Sequence, residues 1–92
     1  MKVEKRSKVQ IYFDILQILC DEAKNEKPSL TKVAHLANLP YDRFQKCLHQ
    51  LVQLGMVSCA EGGKIFVTEK GLEYIDECMK FNNFLKKMGL LP

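Results

Sequence analysis

Three residues, Asn38, Leu39 and Pro40, separate an apolar pattern ending at Ala37 from one beginning at Tyr41, and that brevity limits what the chain can fold into. Downstream, Phe44, Cys47, Leu48, Leu51 and Val52 recur at i, i+3, i+4, i+7 and i+8, which is the helical period and not the strand period. Upstream, Leu30, Val33, Ala34 and Ala37 keep the same period over a shorter stretch. Asparagine tolerates positive φ better than most residues, so Asn38 suits a helix stop. Pro40 suits the first turn of the next helix, where a missing N–H costs nothing. Two short helices are therefore expected to cross around a tight turn, with the second running to Gly55.

The flanking segments complete the order. From Ser7 to Lys24, Val9, Tyr12, Phe13, Leu16, Ile18, Leu19 and Cys20 form one helical stripe, with Gln10, Asp14, Gln17, Asp21 and Lys24 opposite. Pro28 cannot continue that helix and disfavours helical geometry at Lys27, and Ser29 or Thr31 can cap the next. After Gly55, the strand-formers Val57, Cys59, Ile65 and Val67 flank Gly62 and Gly63, whose tolerance of positive φ suits a hairpin. A lone two-stranded hairpin is only marginally stable, so it must lean on the helices. Thr68 and Glu69 then open a fourth helix that runs to about Met88, before Gly89 and Pro92. The expected fold is mainly α with a small β-hairpin: a winged helix-turn-helix over residues 1–68, with a basic N-terminal tail, and a C-terminal dimerisation helix over residues 69–92.

A length of 92 residues allows one small domain, and 47% apolar residues is ordinary for a folded core. The formal charge of +3 resides in the first eight residues, where Lys2, Lys5, Arg6 and Lys8 outweigh Glu4; the remainder balances. The four cysteines, Cys20, Cys47, Cys59 and Cys78, form no CxxC pair and sit in apolar patterns, so they read as buried free thiols rather than as disulfides or a zinc site. No run approaches the roughly 18 apolar residues that span a bilayer, and "MKVEKRSK" lacks the apolar centre of a signal peptide. A cytoplasmic protein with no membrane association is expected. No nucleophile elbow or glycine-rich phosphate loop is present, so no catalytic residue, cofactor, metal or small-molecule ligand is assigned.

On the fourth helix, Leu72, Ile75 and Met79 are expected to pack on the parent domain, while Tyr74, Cys78, Phe81, Leu85 and Met88 recur at spacings of 4, 3, 4 and 3, the seam of a coiled coil. Exposed, Phe81, Phe84 and Leu85 would each forgo about 1.5–3 kcal/mol of burial. A homodimer through this seam is expected, against the alternative of a helix folded back on its own domain. Residues 69–79 hold four acids and one lysine, whereas residues 80–92 hold three lysines and no acid, which suits an antiparallel pair.

The third helix turns Tyr41, Arg43, Gln45, Lys46, His49, Gln50 and Gln53 away from its apolar stripe. Amides, cations, an imidazole and a phenol can meet base edges and phosphates, although an ordinary solvated face has similar composition.

"NLPYDRFQKCLHQLVQLGMV", a glycine hairpin and "IFVTEKGLEYI" together resemble the small archaeal winged-helix DNA-binding proteins of about ten kilodaltons, over essentially the entire chain. The resemblance implies long C-terminal helices that pair as an antiparallel coiled coil. It also implies a third helix in the major groove of double-stranded DNA and a wing on the flanking backbone. The candidate DNA-binding residues are then Lys32, Tyr41, Arg43, Gln45, Lys46, His49 and Lys64, and the candidate dimer residues Tyr74, Cys78, Phe81, Leu85 and Met88. Two departures are visible: Pro40 replaces a frequent capping serine or threonine, and the wing "AEGGK" sets its one cation, Lys64, against Glu61. Such a protein would be a transcriptional regulator or a nucleoid-associated architectural component; the alternative is a winged helix that binds another protein within a larger complex.

Overall fold

A computed structural model of the chain describes residues 6–23 and 29–91. The break expected at Pro28, the tail cations Lys2 and Lys5, and the stop at Pro92 lie outside the described residues. The elements are α1 (Lys8–Glu22), α2 (Leu30–Leu36), α3 (Tyr41–Gln53), β1 (Val57–Cys59), β2 (Ile65–Val67) and α4 (Glu69–Lys87), with a single 3-10 turn at Glu61–Gly63 between the strands. This is the winged-helix order expected from the pattern.

Each helix begins where its sequence supplies a cap, α3 excepted. The hydroxyls of Ser7, Ser29 and Thr68 accept from the backbone N–H of Gln10, Lys32 and Gly71 respectively. Pro40 stands one place earlier than expected, at the N-cap rather than inside the first turn, and offers no side-chain cap. At their C-terminal ends α2 and α3 share one solution. Asn38 N–H donates to His35 C=O and Leu39 N–H to Ala34 C=O; Gly55 N–H donates to Val52 C=O and Met56 N–H to Leu51 C=O. Both motifs need a left-handed residue, supplied by Asn38 at φ 59° and Gly55 at φ 79°.

The core lies where α1, α2, α3 and the base of the hairpin converge, on Ile11, Ile15, Leu16, Leu19, Val33, Ala37, Leu39, Phe44, Leu51 and Val57. Leu39, in the turn itself, is buried, so the α2–α3 connection is anchored rather than loose. Two expectations for facing are corrected. Val9 is 60% exposed, and the inward positions of α1 include Ile11 and Ile15 instead. Val52 is also exposed, at 38%, because the buried face of α3 narrows to Phe44, Leu48 and Leu51.

The strands pair antiparallel with Val57 opposite Val67, Ser58 opposite Phe66 and Cys59 opposite Ile65. Three interactions then fasten α4 to the end of α3. Thr68 Oγ1 donates to Gly55 C=O at 2.6 Å, and Thr68 N–H to Met56 C=O at 2.9 Å. Lys70 Nζ reaches Leu54 C=O at 2.6 Å, placing a cation at the negative end of the α3 dipole. Gly71 is buried against the Met56 carbonyl and Val67. The stretch "TEKG" is thus a clasp between two helices.

The facing of α4 differs from expectation. Leu72 and Met79 are about half exposed; Ile75 packs on the core as expected, and Tyr74, expected on the seam, packs there with it. Tyr74 also donates its hydroxyl to Val9 C=O of α1 at 2.7 Å. The clasp sets the rotation of α4, and Gly71 permits close approach only on the side shared by Tyr74, Ile75 and Cys78.

Candidate nucleic-acid interface

Helix α3 presents the site. Its apolar stripe is anchored in the core, so the opposite surface is fixed in orientation. Tyr41, Asp42, Arg43, Gln45, Lys46, His49, Gln50 and Gln53 are all exposed on it. Arg43, Lys46, Gln50 and Gln53 follow at i, i+3, i+7 and i+10 along one side; Gln45 and His49, at i and i+4, lie beside them. Among the described residues neither Arg43 nor Lys46 makes an ion pair, whereas Arg6, Lys32 and Lys80 each do.

The other candidates are placed less uniformly. Tyr41 packs its ring 6.2 Å from that of Phe44, and so braces the start of α3 while remaining 40% exposed. Lys32 is exposed on α2, with its ammonium 3.4 Å from Glu22 of α1. Lys64 stands exposed in the wing, where its carbonyl accepts from Ala60 N–H at 2.7 Å to close the turn. His35 is exposed on α2.

Two contacts that carry no sequence signal position this surface, because both join residues far apart in the chain. Arg6 Nη1 bridges to Asp14 Oδ2 at 2.9 Å and Arg6 Nη2 to Asn38 C=O at 3.4 Å, tying α1 to the helix-turn-helix turn. Gln10 Nε2 donates to the other oxygen of Asp14 at 2.8 Å. On α3 itself, the hydroxyl of Tyr12 donates to Gln50 Oε1. Burial first, then the neighbouring Cys47, pushes the Tyr12 phenol up.

On α4, Tyr74 and Cys78 are half-buried against the domain and Leu85 is half-buried further along, while Phe81, Phe84 and Met88 are 59%, 53% and 57% exposed. The rings of Phe81 and Phe84 stack with centroids 6.5 Å apart. An open groove of about 420 Å³ runs along this side, floored by Met56, Tyr74, Cys78 and Phe81 and edged by Lys70, Glu73 and Glu77. Lys80, one of the three lysines of the expected interhelical charge match, is engaged within its own helix by Asp76 at 3.1 Å and Glu77 at 3.3 Å.

Burial, then Cys78 and Tyr12, push the Tyr74 phenol up to about 12. An unfolded phenol ionises near pH 10, so the folded state keeps this proton longer. The associated stability is fully present below about pH 10 and is lost as pH rises toward 12. An ultraviolet tyrosinate titration should show a late step that Tyr74→Phe removes; a variant titration identical to the wild type would refute that assignment.

A sequence model described as "Winged helix-turn-helix" matches residues 5–86, nearly the whole chain. The chain belongs to the winged helix-turn-helix family. No curated protein matches it. In this winged helix-turn-helix protein the match runs through α4, so the long helix is part of what the family model describes. Among the described residues, no helix is long and apolar enough to cross a membrane, and no three of His, Cys, Asp and Glu are placed to share a metal ion.

Proposed function

We propose that the protein is a dimeric, double-stranded-DNA-binding protein without catalytic activity, a transcriptional regulator or an architectural component of the nucleoid. In this reading α3 enters the major groove, the wing around Lys64 rests on the flanking backbone, and α4 pairs with its counterpart in a second copy. The observation that carries it is the pair Arg43 and Lys46, exposed on a rigidly seated helix with no carboxylate of the described chain in an ion pair with either. Membership of the winged helix-turn-helix family supports the same reading. The charge distribution favours one alternative, a protein-binding winged helix, since all of the net +3 lies in residues 1–8.

Titration of duplex DNA at several salt concentrations separates the two. Affinity should fall with a log–log slope of about −0.9 per phosphate neutralised. Changing Arg43 and Lys46 together to alanine should flatten that slope by roughly two per protomer. A slope left unchanged in a folded double variant would favour the protein-binding reading.

A further inference from the structure

We propose that Gln50 is a sequence-reading residue of α3 and that Tyr12, through its hydroxyl, is the residue that positions it. This inference rests on the DNA-binding reading above and goes one step beyond it.

Tyr12 is a core residue of α1, only 6% exposed, yet its hydroxyl emerges beside α3 and donates to the side-chain oxygen of Gln50. A phenol so buried needs a partner for its O–H. Here the partner is an exposed side chain 38 positions away, on the face that carries Arg43 and Lys46. A free glutamine on a helix surface samples many rotamers and loses that freedom when it binds. Gln50 is already held, so part of the ordering cost falls on folding rather than on association.

The bond also sets the chemistry of what remains. With Oε1 turned onto Tyr12, the amide offers its Nε2 hydrogens outward, as donors. Lys46 lies one turn before Gln50 and Arg43 two turns before, so cations that can hold backbone phosphates stand on the N-terminal side of this amide as it approaches a groove. A donor held there matches the N7 and O6 acceptors of guanine or the O4 of thymine. It is poorly suited to the two-point pairing with adenine that needs both ends of the amide. The preference expected at the contacted position is therefore for a base-edge acceptor.

Selection from duplexes with a randomised centre, followed by titration of the selected duplex and a scrambled duplex of equal length, tests the pair. Gln50→Ala should lower the ratio of the two affinities by about tenfold, the worth of one good base contact. Tyr12→Phe, which removes one oxygen and keeps the ring, should lower it in the same direction. The double variant should lose no more than Gln50→Ala alone, because both changes remove one device. Gln50→Glu keeps an acceptor for Tyr12 but has no N–H to offer, and should lose discrimination while retaining the thermal midpoint. Affinity for the scrambled duplex in the alanine and phenylalanine variants, and its salt slope, should match the wild type. A tie that only joined α1 to α3 would move the thermal midpoint and leave the ratio alone, and that result overturns the proposal. So does a multiplicative loss in the double variant, or a wild type that binds all duplexes equally. The absence of any duplex binding would instead fail the underlying DNA-binding reading, and the inference with it.

Discussion

Gly71→Ala should lower the thermal midpoint by about 10–30 °C, although the same exchange inside a helix ordinarily stabilises by about 0.5–1 kcal/mol. The sign reverses because of where α4 is clasped. A Cβ at position 71 would stand 2.4 Å from the Met56 carbonyl oxygen and 2.6 Å from Val67 Cγ1. Val67 can give a little, but the carbonyl cannot, since it accepts the Thr68 N–H at 2.9 Å and its residue is tied back to α3 by Met56 N–H to Leu51 C=O. Overpacking of this kind costs about 1–3 kcal/mol and more when backbone must move. Relief by sliding α4 outward would break Thr68 to Gly55 and Lys70 to Leu54, and would uncover Tyr74 and Ile75. The net loss expected is about 2–4 kcal/mol, and each kcal/mol moves the midpoint of a domain this size by roughly 4–8 °C. Calorimetry decides it. A midpoint equal to or above the wild type would mean that helix propensity wins and that α4 is not held this close to the hairpin.

The contrast between what could and could not be read beforehand follows from the range of the interactions involved. Asn38, Gly55 and the Gly62–Gly63 hairpin were legible because each is set by local backbone geometry, and their φ values are 59°, 79°, 80° and 78°. The exposed surface of α3 was legible because its buried stripe is narrow and its polar residues are consecutive on the opposite side. Facing on α1 was legible for Tyr12, Phe13, Leu16 and Leu19 but not for Val9, and on α4 for Ile75 but not for Leu72 or Met79. Both helices have apolar residues on more than one side, so periodicity alone admits several rotations, and docking against neighbours chooses among them. Ile11 rather than Val9 turns inward because it joins the core of α2 and α3, and Tyr74 rather than Leu72 because of the clasp at Thr68–Gly71 and the Tyr74 hydroxyl on Val9 C=O. The bond from Tyr12 to Gln50 and that from Arg6 to Asn38 span 38 and 32 positions, and no window of sequence contains either pair.

Placing glutamates at both Phe81 and Phe84 should convert the proposed dimer to a monomer and weaken DNA binding by about 10²–10⁴-fold, with no DNA-facing residue altered. These two are the right positions because they are more than half exposed on the protomer, so their replacement tests pairing without emptying the core. Leu85, by contrast, is half-buried within the protomer, and a charge there would disturb fold and pairing together. At position 84 a glutamate has Lys80 four residues before and Lys87 three after, so α4 itself loses little; at 81 it meets Glu77 and costs a few tenths of a kcal/mol. The large term lies between copies. Left uncovered, Phe81 of the seam and Phe84 stacked beside it each forgo about 1.5–3 kcal/mol, and a carboxylate forced into or against the seam adds a desolvation penalty. A helix of 19 residues is a rod of about 28 Å, and two such rods side by side would hold the α3 helices of both copies at a fixed separation. Successive major grooves on one face of a duplex recur about every 34 Å, so a fixed pair can occupy two at once, whereas separated protomers bind one site each. Light scattering on the wild type is the first measurement, and a monomer there removes the seam outright. If the wild type is a dimer, the double variant carries the rest of the argument: loss of the dimer with DNA affinity intact would mean that each α3 acts alone, and loss of DNA affinity in a variant that stays dimeric would place Phe81 and Phe84 at the nucleic acid instead of at the partner.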